Sequence, residues 1–322
     1  MKRVVSLILF LCMLGCSFTG CGSGSNSVSS GNVKVIACVS QIDTFMQQLL
    51  DQAQQTAQEM GITFDIVNAE LNLETQVSQI KSAVTAGYDV IACVPVDRDS
   101  ALEIEALSGD IPIVFFNSCP DEKHLKAGQY MYVGSDENVA GQYQAEYVLH
   151  KFANQSELNV AIIKGPSSHT ASKQRTDAVK KTLNESGKTI HYVFEDSAAW
   201  SQKQACELFK VFSKTKQSCD VVICNNDDMA LGIVDACDEL GIQNMTILGV
   251  DAIPGGCSAI EQGSMDFTVY QSGVDQGKSV IEAAYALATN GDISKLDYIS
   301  DDKLYVWVPF QKVDSSNVKD YQ

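Results

Sequence analysis

The stretch VVICNNDDMAL, residues 221–231, decides the fold, because an apolar run stops abruptly at Asn225, Asn226 and Asp227. A helix-type pattern of apolar residues begins directly afterwards. Short apolar runs without alternation are typical of strands buried on both faces of a parallel sheet. The stretch therefore predicts a buried strand, a polar strand end and a helix that crosses back over the sheet.

The same pattern recurs along the chain. Further apolar runs end at polar residues in VKVIACVS (33–40), DVIACVPVD (89–97), IPIVFFN (111–117), NVAIIKG (159–165) and MTILGVD (245–251). In open α/β sheets the ligand binds beyond the carboxyl ends of the strands. Amides, carboxylates and few cations stand at these ends, which predicts a site for a neutral polar molecule.

Strands and helices are predicted to alternate throughout. Two shorter runs, Phe64–Val67 and Ile190–Phe194, add strands, and helix-type spacing separates the runs. The alternation restarts after about residue 135. Two runs of it predict an α/β protein with two similar lobes, each a doubly wound parallel sheet covered by helices on both faces.

Length and charge narrow the function classes. The chain of 322 residues can hold two cores, since single cores stop growing near ~250–300 residues. The formal net charge is −17 and the isoelectric point is about 4.5. Such an acidic protein is repelled by phosphate backbones, so nucleic acid is excluded as a partner.

The N-terminus has the features of an export signal. Lys2 and Arg3 precede an apolar segment, Val4–Leu14, which is too short to span a bilayer. Cys16 in MLGC and Cys21 in FTGC both resemble bacterial lipidation sites. Cys21 is preferred, because GSGSNSVSSGN follows it as a flexible tether. We expect residues 1–20 to be a signal peptide and residues 21–32 a tether; an uncleaved anchor without lipid is the alternative.

The remaining cysteines do not form a metal site or a disulfide framework. Of 11 cysteines, eight lie between Cys38 and Cys257, with no CxxC and no Cys/His cluster at metal spacing. Many unpaired thiols in an exported protein indicate a reducing habitat, although a disulfide stays open at this stage. No metal and no cofactor is expected.

Catalytic signatures are missing as well. The sequence contains no GxGxxG, GxxxxGK[ST], HExxH or GxSxG, and its four histidines are scattered. These patterns favour a binding protein, and an enzyme is the disfavoured alternative.

Seven motifs carry a resemblance to a known family. They are DTFMQ (43–47), IPIVFFN (111–117), MYVGSDENVAG (131–141), KGPSSHTASKQRT (164–176), SAAW (197–200), ICNNDDMALG (223–232) and GVDAIP (249–254). In this order they resemble type I periplasmic binding proteins, most closely the D-galactose/D-glucose-binding branch that serves ABC importers and chemoreceptors. The resemblance runs from about Val33 to the C-terminus.

The resemblance implies a set of sugar contacts. They fall on Asp43, Phe45, Asn117, His169, Arg175, Trp200, Asn226, Asp251 and Gln271. A pyranose has apolar C–H faces and a rim of hydroxyls, so Phe45 and Trp200 would enclose the ring while the polar groups bind its edge. Arg175 would donate toward the ring oxygen. Arg175 and a protonated His169 would balance the two aspartates and leave the pocket near neutral.

Some of these residues have structural alternatives. Trp200 could be ordinary core. Asp227 is expected to cap the helix that follows it, leaving Asn226 for the ligand, and Asp251 could both cap a helix and bind ligand.

Three departures from the family pattern stand out. Ala171 replaces a carboxylate, so Arg175 is expected to lose its partner. Gln271 stands where the galactose binder has asparagine. The calcium loop is missing, since Phe152 leads through ANQSELN directly into the strand at Val160, and Asp220 alone cannot hold the ion.

The resemblance implies an extracytoplasmic, lipid-anchored protein that delivers a galactose- or glucose-like monosaccharide to an ABC permease by hinge closure. The lobes would be residues 33–134 with 272–307, and 135–271 with 308–322. Alternatives are another aldose such as a pentose, or a sugar-sensing subunit for a membrane kinase or chemoreceptor.

We predict that the mature protein begins at a diacylated Cys21 and partitions with membranes, because a Gly/Ser tether follows that cysteine. Intact-mass analysis of membrane-extracted protein measures the cleavage site and the lipid together. Cleavage elsewhere, or a mass without acyl chains, would contradict the prediction.

Overall fold

The computed structural model describes residues 32–321, so the predicted signal peptide, both lipidation sites and the tether up to residue 31 lie outside the described residues. The strands are β1 (Lys34–Val39), β2 (Thr63–Asn68), β3 (Val90–Cys93), β4 (Ile113–Phe116), β5 (Tyr130–Gly134), β6 (Glu157–Lys164), β7 (Thr189–Ser197), β8 (Val221–Cys224), β9 (Thr246–Leu248), β10 (Phe267–Tyr270), β11 (Tyr305–Trp307) and β12 (Gln311–Asp314). The helices are α1 (Thr44–Met60), α2 (Leu73–Ala86), α3 (Ala101–Ser108), α4 (Glu137–Lys151), α5 (Thr170–Asn184), α6 (Gln202–Ser213), α7 (Asp227–Leu240), α8 (Pro254–Gln262) and α9 (Gly273–Ala288).

The strands form two sheets of six. The first has the order β11-β5-β4-β3-β1-β2 and is parallel throughout. The second has the order β12-β10-β9-β8-β6-β7 and is parallel except for β12, which runs antiparallel to β10. The prediction of two similar parallel-sheet lobes is confirmed.

Burial on both faces of each sheet explains the apolar runs. In β1, Val35, Ala37 and Val39 belong to one apolar cluster, whereas Ile36 and Cys38 belong to another. Alternate residues of β8 divide between two clusters in the same way. Because helices cover both faces, alternating polar positions would bury unpaired polar groups, so the strand must be apolar at every residue.

Three crossings join the two lobes. After β5 in the first sheet the chain enters α4, which packs on α5 of the second lobe. After β10 it returns through α9, which packs on α1. Finally β11 of the first sheet is followed by β12 of the second. The lobe boundaries expected after residues 134, 271 and 307 stay a prediction.

The eight cysteines between Cys38 and Cys257 are all free. Cys38, Cys93 and Cys224 are fully buried in β1, β3 and β8, where the thiol packs as a small apolar group. Within residues 32–321, every helix falls short of the length and apolar character that crossing a membrane requires.

Asp227 is not the cap of α7, contrary to expectation. Asn226 occupies that position and accepts from the Met229 N–H at 3.0 Å. The fully buried Asp227 carboxylate instead accepts from the Thr268 hydroxyl at 2.6 Å and the Ile253 N–H at 3.0 Å. It therefore serves the start of α8, and Asp251 makes no such cap. Burial raises the pKa of Asp227 to about 7.

This buried carboxyl predicts a pH dependence of stability. A raised folded-state pKa means that the folded protein binds the proton more tightly than the unfolded chain. The free energy of unfolding should therefore fall as the pH rises toward and past 7, by about 2 kcal/mol between pH 5 and 8 from this group.

Asp227→Asn should remove that contribution, because an amide of the same shape does not titrate. Urea unfolding of both proteins at pH 5 and 8 measures the difference. A variant whose stability relative to the wild type is no greater at pH 8 than at pH 5 would contradict the assignment.

Candidate ligand-binding site

A cavity lies between the lobes, at the carboxyl ends of both sheets. Its empty space, counted together with the open mouth, is about 550 Å³. Seventeen residues line it, and the structure brings together there all nine residues predicted as sugar contacts, which are Asp43, Phe45, Asn117, His169, Arg175, Trp200, Asn226, Asp251 and Gln271.

Three of these residues are helix N-caps. Asp43 accepts from the Met46 N–H at 2.8 Å to cap α1, and Asn226 caps α7. His169 caps α5, its Nδ1 accepting from the Ala171 N–H at 3.2 Å. Three helix N-termini, one from the first lobe and two from the second, therefore meet at the cavity. Capping and lining the cavity are thus compatible roles for one side chain, and the sequence had offered them as alternatives for Asn226.

Three other lining residues have left-handed backbone. The φ angles are 58° at Asn117, 66° at Trp200 and 114° at Asp251. Such conformations cost free energy in residues other than glycine and cluster at functional sites. All three follow strands or strand-end turns, where a sharp change of direction turns the side chain into the cavity.

The two aromatic rings come from different lobes. Phe45 lies in the first turn of α1, and Trp200 precedes α6. The Trp200 ring lies against Gly165, where a Cβ atom would approach it to 2.3 Å, so only glycine leaves room for the indole. Trp200 also meets the His169 ring edge-on, with centroids 5.4 Å apart. Although Trp200 belongs to the second lobe's core, part of its ring faces the cavity.

Arg175 has a carboxylate partner, so the expectation drawn from Ala171 was wrong. Its Nε donates to Glu137 at 2.5 Å, Nη1 to the Asn225 carbonyl at 2.6 Å and Nη2 to the Gln271 amide oxygen at 2.9 Å. Both charged side chains of the pair are at most 3% exposed. Three of the guanidinium's hydrogen-bonding directions are therefore used within the protein.

Glu137 is the site residue that sequence reasoning missed. It lies in the motif MYVGSDENVAG, in the first turn of α4, where an acidic residue is normally explained by the helix dipole. Glu137 pairs with Arg175 instead, because α4 packs closely on α5. At Gly141 a Cβ atom would lie 2.2 Å from the Arg175 carbonyl, so this glycine permits the approach.

The charges in the cavity differ from the predicted balance. Burial, reinforced by the Arg175 guanidinium, lowers the pKa of His169 to about 3, so its expected protonation was wrong. Burial raises the pKa of Asp43, and it raises the pKa of Asp251 further despite the opposing effect of Arg175. Burial also disfavours the charge of Arg175, but Glu137 and Asp251 outweigh this and raise its pKa.

Hydrogen bonds connect the lobes across the cleft. The His169 Nε2 lies 3.2 Å from the Asn117 Oδ1, and the Thr170 hydroxyl donates to the Cys119 carbonyl at 2.6 Å. On the other side of the cavity the Thr44 hydroxyl donates to Asp228 at 3.0 Å. Because Nδ1 of His169 accepts from a backbone N–H, Nε2 carries the proton and donates to Asn117. The structure is thus a closed arrangement of the two lobes.

Within residues 32–321, no three histidine, cysteine, aspartate or glutamate side chains are arranged to hold a metal ion. Asp220 accepts from the Asn159 backbone N–H at 2.7 Å and fixes the start of β8 instead. The prediction that calcium plays no part stays a prediction.

Comparisons with known proteins agree with this architecture. The putative rhizopine-binding protein of Rhizobium meliloti is 29% identical over 267 residues, covering 81% of this chain and 83% of that protein. The D-galactose/methyl-galactoside binding periplasmic protein of Haemophilus influenzae is 27% identical over 314 residues, covering 93% and 95%.

A solved structure is similar over nearly the same span. The ABC transporter solute binding protein from Bacillus halodurans, with bound myo-inositol, has a TM-score of 0.81 at 27% identity, covering 91% of this chain and 98% of that one. The family model described as periplasmic binding protein domain matches residues 33–292. With this match spanning most of its length, the chain belongs to the periplasmic binding protein family.

Proposed function

We propose that this protein is an extracytoplasmic binding protein that captures a cyclic polyol, a monosaccharide or a cyclitol, and delivers it to the permease of an ABC importer. Lipid at Cys21 would hold it at the cell membrane. Relatives are described as binding rhizopine and galactose, and a similar structure holds myo-inositol, which supports a cyclic polyol; another relative is described as binding xylitol, an open-chain polyol of related chemistry.

The composition of the cavity is the observation that carries this proposal. Aromatic rings from opposite lobes, Phe45 and Trp200, line the same space as a belt of amides and carboxylates. A six-membered polyol has two apolar faces and a polar rim, which this arrangement matches. Among the residues that the structure describes, no three histidine, cysteine, aspartate or glutamate side chains could hold a metal ion, and binding rather than turnover is the proposed activity.

Galactose or glucose is our first choice within this class, with pentoses and cyclitols as competitors. Gln271 and Ala171 both belong to the cavity wall. The first carries an amide nitrogen without a partner, and the second adds a small apolar surface, only 2% exposed, next to the His169 cap. Both positions differ from the galactose pattern, so they would set the preference among sugars of similar size.

Capture by lobe closure follows from the same geometry. Asp43, Phe45 and Asn117 come from the first lobe, and the other predicted contacts come from the second lobe or the crossing at Gln271. A ligand that contacts both lobes favours the closed state by its differential affinity for that state.

We expect polyol binding to change the fluorescence of Trp200, because a ring stacked on the indole displaces water from it. The other tryptophan, Trp307, stacks on Tyr305 with centroids 4.7 Å apart, outside the cavity, so Trp307→Phe isolates the signal. Titration with galactose, glucose, ribose, xylose, xylitol and myo-inositol should give a saturable change for at least one. No response to any of them would remove the proposed function.

We also expect Ala171→Asp to weaken neutral polyols by about ten- to a hundredfold, because burying an unpaired carboxylate is costly. Because Arg175 is already paired with Glu137, it would stabilise the charge of a new aspartate only weakly. Ala171→Asn adds the same bulk without charge and is the matched control. Tighter neutral-ligand binding by the aspartate variant than by the asparagine variant in calorimetry would contradict this charge assignment.

A further inference from the structure

Among the described residues, the cavity is lined by one cationic side chain and two carboxylates. Arg175 is the only lysine or arginine of this described lining, whereas Asp43 and Asp251 are both present. His169 is neutral at physiological pH, since its pKa lies near 3. The net charge of the cavity therefore depends on how far the Arg175 guanidinium compensates the two aspartates.

Glu137 compensates most of the positive charge of Arg175. Its carboxylate lies 2.5 Å from the Arg175 Nε, whereas the nearest approach of Asp251 to the guanidinium is 3.9 Å. For Asp43, the described residues provide no Lys, Arg or His nitrogen within 4.0 Å. With Arg175 and Glu137 paired, the two aspartates have little opposite charge near them, and this lack of compensation adds to burial in raising the pKa of both.

Further acidic groups surround these two. Asp228 from α7, whose carboxylate accepts from Thr44 at 3.0 Å, raises the pKa of Asp43 from across the cleft, in addition to the effect of burial. Asp251 experiences Asp227, Asp43 and Asp228 as like charges and Arg175 alone as an opposite charge. Closing the lobes therefore brings carboxylates of both lobes together, which opposes closure unless a proton or a cation neutralises them.

A neutral polyol only partly relieves this arrangement. Hydroxyl groups donate hydrogen bonds to carboxylates but bring no positive charge, so ionising the two aspartates in the cavity stays costly. An ammonium group donates three hydrogen bonds and supplies the missing charge. The rings of Phe45 and Trp200 line the same space, and aromatic faces attract cations as well as C–H groups.

We propose that the natural ligand is an amino-polyol, an amino sugar or amino-cyclitol, whose protonated amino group binds between Asp43 and Asp251. The proposal rests on the proposed polyol-binding function and makes it more specific. The Gln271 amide nitrogen, buried without a partner in the cavity wall, would donate to a hydroxyl of the same ligand.

Comparing each amine with its hydroxyl parent tests the amino-polyol proposal. Calorimetry at pH 7 would compare glucosamine with glucose, galactosamine with galactose, and a monoamino-inositol with myo-inositol. The N-acetyl derivative of each amine serves as the uncharged control of similar shape. We expect at least one amine to bind about ten- to a hundredfold more tightly than its hydroxyl parent, and N-acetylation to remove the gain.

Two variants identify the side chains that cause the preference for an amine over its hydroxyl parent. Asp43→Asn keeps the α1 cap but removes the charge, so the ratio of amine to parent affinity should fall to about one. Glu137→Gln should also lower this ratio, because it leaves the Arg175 charge uncompensated next to the ligand. Asp292→Asn, at an exposed 3₁₀ turn far from the cavity, changes the net charge equally and should keep the ratio.

The outcomes separate the two proposals. Parents that bind as tightly as their amines would overturn the amino-polyol proposal and leave polyol binding intact. If neither amines nor parents bind, the proposed function itself is wrong. An amine preference that survives in Asp43→Asn would show that the charge argument assigns the wrong carboxylate, and would overturn it.

Discussion

The Arg175 guanidinium joins more of this structure than any other side chain of the site. It donates to Glu137 just after the first crossing between the lobes and to Gln271 at the second. It also lies 5.9 Å from the ring centroid of Phe310, at the third crossing. A buried arginine requires compensation for its charge and its donors. Glu137 and Gln271, which compensate it, lie at the first two crossings between the lobes, so the cavity and these crossings share one electrostatic centre.

Helix caps and ligand groups coincide elsewhere in the cavity. Asp43, His169 and Asn226 each use one atom to satisfy a helix N-terminus and leave other atoms for the cavity. The cap fixes the side-chain rotamer before a ligand arrives, which lowers the entropy lost on binding. The left-handed backbone at Asn117, Trp200 and Asp251 acts in the same sense, since the strand ends hold these side chains in place.

Charge distinguishes this cavity from the near-neutral pocket that the family resemblance implied. Two corrections act in one direction: His169 is neutral, and Arg175 is paired with Glu137. The closed lobes consequently enclose Asp43 and Asp251 with little opposite charge. Because electrostatic interactions strengthen in a nearly dry cavity, this excess bears on which ligands stabilise closure.

The sequence by itself determined the lobes and the composition of the cavity wall. Runs such as residues 221–224 must be apolar throughout because both faces of the strand are buried, and that pattern is visible without coordinates. The family resemblance then located nine of the seventeen described lining residues. Four short strands were not predicted, β5, β10, β11 and β12. Of these, β11 and β12 have three or four residues and lie at a sheet edge, where no continuous apolar run is needed.

Only the tertiary structure decided which buried charged and polar side chains pair with each other. Glu137 and Arg175 are 38 positions apart and meet because α4 and α5 pack closely at Gly141. Asp227 resembles a helix cap in sequence, yet it is buried against Thr268, 41 positions away. Local patterns record which residues are buried or cap a helix, whereas the charge state of a buried group depends on neighbours that only packing brings together.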